Sequence, residues 1–370
     1  MPPAAQPPYR ADHVGSLLRP AALRAAREQF LAGKFDAGAL RTLEDEAIRA
    51  AIALQESVGL ASITDGEFRR TAFHFDFLGQ IEGVSAVLGR APDASAPGQA
   101  FQPPQLKIVG KLRHRRTIEV EGFKFTRAAT RQTAKLTMPS PTMLLRGGRS
   151  AISEEAYPDL EVYVDDIVDV YGAELAALGE AGCTYVQFDD TNFGYLCDQT
   201  MRQAMRDRGE DPEALPHRYV KLINAVIAKK PAGMAICVHL CRGNMAGRWA
   251  ASGGYEPIAE TVFGGLAVDG YFLEYESERA GGFEPLRFMP KGKRVILGLV
   301  SSKIPDLETK DLLRRRIEAA GKYMAVADMG VSPQCGFASG YQGNPVTEDV
   351  ERRKLALCVE TAAEIWGAAR

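Results

Sequence analysis

Two residues able to bind a soft metal stand two apart in Cys237-Val238-His239-Leu240-Cys241. This stretch ends an apolar run from Met234 to Leu240, which reads as a buried strand. On an extended backbone, His239 and Cys241 point to the same side. An imidazole and a thiol on one side of a strand end are two ligands for a soft or borderline metal, zinc first. Glu274 closes a second apolar run, Tyr271-Phe272-Leu273, and Cys335 stands in Ser332-Pro333-Gln334-Cys335-Gly336. Parallel strands of one barrel bring their carboxyl ends to a single face, and on that face these four residues would make a His/Cys/Glu/Cys site. A plainer reading also fits: His-x-Cys arises by chance, and cysteine often serves as a small buried hydrophobe.

The elements that must position these residues follow from apolar patterning. Strand-like runs fall near residues 13, 63, 136, 186, 237, 272, 297 and 332, alternating with helical periodicity. Pro20 opens a helix that runs to Leu31, and a longer amphipathic helix covers Ala37 to Val58. Further helices are expected near Tyr157–Ala181, Pro216–Lys229, Gly254–Gly264, Glu308–Val326 and Val346–Trp366. Strand-helix repeats of this number predict an α/β fold, a (β/α)8 TIM barrel, as one catalytic domain over residues 1–370. The middle breaks the rhythm. The Pro-, Ala-, Ser- and Gly-rich residues 91–104 read as a loop. Lys107 to Phe125 reads as a β-hairpin, with Ile118 and Val120 alternating with polar neighbours and Gly122 at a bulge. Together they make a hairpin insertion at about 91–130. Its basic cluster of Lys111, Arg113, His114, Arg115 and Arg116 reads as a solvated tip, with attraction of an anionic substrate tail as the functional alternative.

In such a barrel the polar strand ends gather at one mouth. In order they are Ser16, Asp65 and Glu67, Asp189 and Asp190, His239 and Cys241, Glu274, Ser301 and Ser302, and Cys335. Any one of them alone could be a cap or a turn residue. Their recurrence at almost every unit points to a built site.

Composition narrows the function classes. The 370 residues are 46% apolar and 25% charged, ordinary for a soluble globular protein. A net charge of −2 gives no reason to expect nucleic acid or a membrane surface as partner. No apolar run is long enough to span a bilayer, and the proline-rich start lacks the basic and apolar regions of a signal peptide. Six sparse, irregularly spaced cysteines argue against a disulfide framework and for a reducing, cytoplasmic setting.

The sequence resembles the catalytic, C-terminal barrel of cobalamin-independent methionine synthase. It resembles still more the short, single-barrel methyltetrahydropteroyltriglutamate–homocysteine methyltransferases of that family. The resemblance runs from Val14-Gly15-Ser16 to Trp366, and its specific marks are His239-Leu240-Cys241, Leu273-Glu274 with Arg279, and Pro333-Gln334-Cys335-Gly336. It implies that His239, Cys241, Glu274 and Cys335 bind one Zn2+. It also implies that Ser16 holds the carboxylate of an amino-acid thiol and that Glu67 and Asp189 hold its ammonium. Two departures bear on the methyl donor. The second, N-terminal barrel of the long synthases has no counterpart in these residues. Where their seventh strand ends in a histidine, this chain has Leu299-Val300-Ser301-Ser302-Lys303.

The implied chemistry is zinc-dependent S-methylation. A free thiol has a pKa of about 8.5, and binding to Zn2+ deprotonates it. The thiolate of L-homocysteine would then attack a methyl group, giving methionine. The methyl could come from a methyltetrahydrofolate, from a methylcorrinoid carried by a partner protein, or from another small methyl compound. Asp190, Lys303 and His74 are the candidate acids for the leaving group. The rival readings are a thiol alkyltransferase of the epoxide–coenzyme M type, a zinc hydrolase, and a non-catalytic zinc or thiol sensor. The exposed hairpin offers a contact for a homodimer.

Overall fold

A computed structural model of the chain describes residues 6–87 and 105–368. Six parallel strands form its centre. Their order across the sheet is Met329–Pro333, Arg294–Val300, Gly270–Glu274, Ala235–Leu240, Tyr185–Asp190 and Leu136–Pro139. The apolar runs dictate this. In Arg294–Val300 every residue after Arg294 is buried, as expected of a strand covered on both faces. Register aligns the polar strand ends: Asp189 lies opposite His239, and His239 opposite Phe272.

Both edges of the sheet continue. Ser62–Ile63 pairs in parallel with Thr133–Ala134, which leads into Leu136–Pro139. At the other edge Ala11 forms a parallel bridge with Val331. No strand pairing among the described residues joins the Ala11 segment to Ser62–Ile63, so the expected barrel is open at this seam. Side chains span it, and one backbone hydrogen bond, from Leu17 N to the Gly66 carbonyl at 3.0 Å, joins the two segments beyond it. Ser62 Oγ donates to Asp12 Oδ1 at 2.7 Å, and Thr64 Oγ1 donates to the Gly15 carbonyl at 2.7 Å. Asp12 also pairs with Lys135 Nζ at 3.0 Å, both fully buried. Val14, Tyr185, Cys237, Phe272 and Ile296, one residue from each of five segments, pack together as a core cluster.

Helices follow the strands much as the periodicity predicts, at Ala21–Leu31, Ala37–Ser57, Leu160–Glu180, Leu215–Ile227, Glu256–Gly265, Lys310–Ala320 and Glu348–Trp366. Leu160–Glu180 buries Tyr163, Ile167, Tyr171, Leu175 and Leu178, one stripe at spacings of three and four. Side-chain caps fix several starts. Asp36 accepts from Ala39 N, Asp159 from Glu161 N, and Thr347 from Val350 N. No helix among the described residues is long and apolar enough to cross a membrane.

The expected hairpin is corrected in two respects. Gln105–Arg113 is a strand, but its antiparallel partner is the upstream Glu82–Val87. Residues 91–104, read as a loop, lie outside the described residues. The second half of the expected hairpin is a helix, Val120–Ala129. It buries Val120, Phe123 and Thr126 at a spacing of three, so the Ile118–Val120 alternation was too short to specify a strand. A distant carboxylate fixes its start: Glu174 accepts from the Ile118 and Glu119 amides, the latter at 2.7 Å. Three of the five basic residues have close partners. Arg115 pairs with Glu82, His114 with Glu174 at 2.6 Å, and Lys111 Nζ sits 4.1 Å from the centre of the Tyr157 ring.

Candidate metal centre and substrate cavity

Strand ends deliver four donors to one point. One ligand atom each from His239, Cys241, Glu274 and Cys335 lies within 4.8 Å of all the others, and all four residues are buried. His239 and Glu274 are on neighbouring strands, Cys241 follows the first of these strands, and Cys335 follows Met329–Pro333. His239 Nδ1 is 3.3 Å from the Phe272 carbonyl, an orientation in which Nδ1–H donates and Nε2 keeps its lone pair. Nε2 is buried and has no hydrogen-bond partner. Burying such an atom is costly unless something occupies its lone pair. An orphaned imidazole nitrogen beside two sulfurs and a carboxylate fits a zinc-type ion.

Electrostatics favour the ligating form at Cys335 and Glu274. The hydrogen bond to Cys335 and burial push the Cys241 thiol up, whereas Cys335, Asp189 and Glu274 raise His239 against the effect of burial. The Cys335 thiol is held well below its ordinary pKa, first by a hydrogen bond from Cys241 and then by His239 and Lys303. Burial pushes Glu274 up, but Lys303, His239 and Arg242 outweigh it and keep the carboxyl below its usual range. The donors are themselves held. Glu274 Oε1 accepts from Arg242 N at 2.8 Å, while Oε2 accepts from Gln334 Nε2 at 3.0 Å and Arg279 Nη2 at 3.1 Å. Gly243 N donates to Cys241 Sγ at 3.3 Å. Such outer contacts orient ligands and tune a metal.

His239, Cys241 and Cys335 line a cavity of about 730 Å³. Ser16, Glu67 and Asp189 line the same cavity. Thr137 Oγ1 donates to Glu67 Oε1 at 2.8 Å, and Gln187 Nε2 donates to Asp189 Oδ1 at 2.7 Å. Burial, reinforced by the Glu67 carboxylate, pushes Asp189 up to about 7. Burial likewise raises Glu67, although Arg70 and Thr137 oppose it. Two buried carboxyls, both with raised pKa, form a seat in which a cation would be stabilised. Glu67 takes φ 61°, an unusual backbone for a residue with a Cβ. Gly15, at φ 131°, approaches closely: a Cβ there would lie 2.5 Å from Thr137 Cγ2 and 3.0 Å from Glu67 Oε1.

The three candidate acids separate. His74 lines the cavity, whereas Asp190 and Lys303 are not among its lining residues. Asp190 accepts from Thr142 Oγ1 and, at 2.9 Å, from Phe193 N. Lys303 Nζ faces the Gly243 carbonyl at 3.4 Å. Burial and the nearby Arg146 push His74 down to about 3, so its imidazole is neutral near pH 7. Sequence reasoning missed Arg70, Thr137, Arg242 and Gln334. Gln334 adjoins a predicted ligand, which was a usable signal. Arg242 adjoins Cys241 in the same way, and Arg70 stands three residues after its partner Glu67. Only Thr137 carried no signal, because its partners Glu67 and Arg70 come from a remote segment.

The chain matches the family model described as cobalamin-independent synthase, catalytic domain, over residues 10–363. It is 39% identical to the uncharacterized protein YxjH of Bacillus subtilis, over 97% of this chain and 95% of that one. Its fold is similar to a crystal structure from Listeria monocytogenes assigned to vitamin-B12-independent methionine synthase. That structure has 36% identity and a TM-score of 0.77, with 97% of this chain and 98% of the other covered. A methionine synthase of Pyrococcus abyssi is 25% identical over 76% of this chain and 72% of its own length. A family match from residue 10 to residue 363 makes this chain a member of the cobalamin-independent methionine synthase family, and so a methyltransferase.

Proposed function

We propose that the chain methylates the sulfur of L-homocysteine to give methionine, with zinc held by His239, Cys241, Glu274 and Cys335. One observation carries the reading: the His/Cys/Cys edge of the donor cluster and the Ser16, Glu67 and Asp189 side chains line the same cavity. A bound zinc ion supplies acidification of the substrate thiol, whose ordinary pKa of about 8.5 leaves little thiolate at neutral pH. The protein's own groups do the rest. Glu67 and Asp189 receive the ammonium, and Ser16 receives the carboxylate, so the thiol end is directed toward Cys241 and Cys335. Lys303 and Arg242 keep Glu274 ionised, and Arg279 holds its Oε2 at 3.1 Å. His74, neutral and in the cavity wall, offers a hydrogen bond to the methyl donor rather than an acidic proton.

A hydrolase would favour harder His and carboxylate ligands over two sulfurs. An ammonium seat sets an amino-acid thiol above coenzyme M, which has no amino group. We further infer a single domain whose eight strand segments make a barrel, with side chains closing the Asp12–Ser62 seam. Six cysteines without a disulfide accord with a reducing, cytoplasmic setting.

The test is product formation. Zinc-loaded protein is incubated with L-homocysteine and, separately, methyltetrahydrofolate or methylcobalamin, and methionine is measured by mass spectrometry. Methionine from either donor, lost in Cys335→Ser, is the expected result. Zinc-loaded protein whose metal ignores L-homocysteine and that forms no methionine would reject this reading.

A further inference from the structure

Glu67 is held by a clamp whose parts come from three separate segments. Arg70 is buried, with Nη1 3.1 Å from Thr137 Oγ1 and 3.5 Å from Glu67 Oε2. Its Nη2 donates to the Thr137 carbonyl and lies 3.5 Å from Glu119 Oε1. Thr137 Oγ1 has one hydrogen, which it gives to Glu67 Oε1. Its lone pairs remain free to accept from Arg70. The three side chains therefore form one directed chain, Arg70 to Thr137 to Glu67, which orients the carboxylate as an acceptor.

Glu119 completes the arrangement and arrives by a long detour. The chain leaves the sheet after Ser62–Ile63 and returns at Thr133–Ala134. On the way, Gln105–Arg113 and Val120–Ala129 pack against Leu160–Glu180. Glu174 of that helix accepts from the amides of Ile118 and Glu119, which fixes the Glu119 backbone. Glu119 is thus a carboxylate set against Arg70 by an element that contributes none of the residues lining the cavity.

We propose that Arg70 positions Glu67 for the substrate ammonium, and that Glu119, delivered by the Gln105–Ala129 segment, sets Arg70 in place. Arg70 is a positioning residue: it acts through Glu67. The guanidinium form is required, because only a planar fork reaches Thr137 Oγ1, the Thr137 carbonyl and both carboxylates together; a lysine ammonium is a point charge on a flexible stem. This proposal rests on the reading of Glu67 as an ammonium seat, and the test separates the two.

Zinc-loaded, full-length protein is titrated calorimetrically with L-homocysteine and with 4-mercaptobutanoate, which is homocysteine without its amino group. Zinc content is measured in parallel. In Arg70→Lys, affinity for L-homocysteine is expected to fall at least about tenfold, while zinc content and 4-mercaptobutanoate affinity stay unchanged. Glu119→Gln is expected to weaken L-homocysteine in the same selective way, and to add nothing in the Arg70→Lys background. Equal loss of both thiols, or no loss of either, overturns the positioning role. If the wild-type protein binds both thiols equally and Glu67→Gln alters neither, the ammonium seat itself is wrong, and the proposal falls with it.

Discussion

Cys241 Sγ and Cys335 Sγ lie 3.5 Å apart, although 94 residues separate them in the chain. They are brought together by strand ends on opposite sides of two intervening strands, Gly270–Glu274 and Arg294–Val300. Two free, buried sulfurs at this distance, with the unpartnered His239 Nε2 beside them, define a ligand set. Cys241→Ser and Cys335→Ser should each abolish stoichiometric zinc binding, measured by elemental analysis after dialysis. Stoichiometric zinc in either variant would remove that cysteine from the set.

Gln334 should tune the metal without touching it. Its Nε2 donates to Glu274 Oε2, and its Oε1 accepts from Ser301 Oγ at 3.0 Å. Replacing such an outer contact typically costs about 10–100-fold in metal affinity or activity. Gln334→Leu is expected to fall in that range in a competition assay with a zinc chelator, with the fold intact by circular dichroism. An unaltered zinc affinity would show that Arg242 and Arg279 hold Glu274 without it.

Gly15 has no room for a side chain. A methyl group there meets Thr137 and Glu67, and φ 131° lies in a region that L residues rarely adopt. Gly15→Ala should lower stability by about 1–3 kcal/mol and weaken L-homocysteine more than 4-mercaptobutanoate. Thermal melting and calorimetry read the two effects separately.

Glu351 should make stability depend on pH. The carboxyl is buried on Glu348–Trp366 and accepts from Leu18 N at 2.8 Å. Burial, reinforced by Glu348, pushes it up to about 8. The folded state therefore holds a proton that an unfolded chain, with a glutamate pKa near about 4.3, has released. Its contribution to stability is complete below that lower value and is lost as pH rises through about 8. Glu351→Gln keeps an acceptor for Leu18 N and removes the charge. The variant should melt several degrees above wild type at pH 9 and close to it at pH 5. Equal melting shifts at both pH values would contradict the raised pKa.

The donor cluster was legible because each of its residues closes, or stands within a residue or two of, a strand-like run. His239 and Cys241 share a side by simple alternation, and the register beside Asp189 follows once the strands are parallel. The proposed substrate roles of Ser16, Glu67 and Asp189 needed the family resemblance, since a serine or carboxylate at a strand end is otherwise a cap or a turn. What stayed hidden was made by tertiary partners. Local alternation at Ile118 and Val120 looked like a strand, yet the Glu174 carboxylate turns this segment into a helix start. Arg70 lies in a polar stretch that reads as an exposed loop, and only the folded chain buries it against Thr137. Asp12 and Ser62 span a seam that backbone pairing leaves open, a device with no periodic signature.

This site should bind zinc, and a substrate thiol should join the metal there. Zinc K-edge X-ray absorption on the purified protein, with and without L-homocysteine, tests it most directly. About one zinc per chain is expected, with one more sulfur neighbour when L-homocysteine is present. Zinc whose sulfur count is blind to L-homocysteine, or protein that takes up no zinc at all, would contradict it.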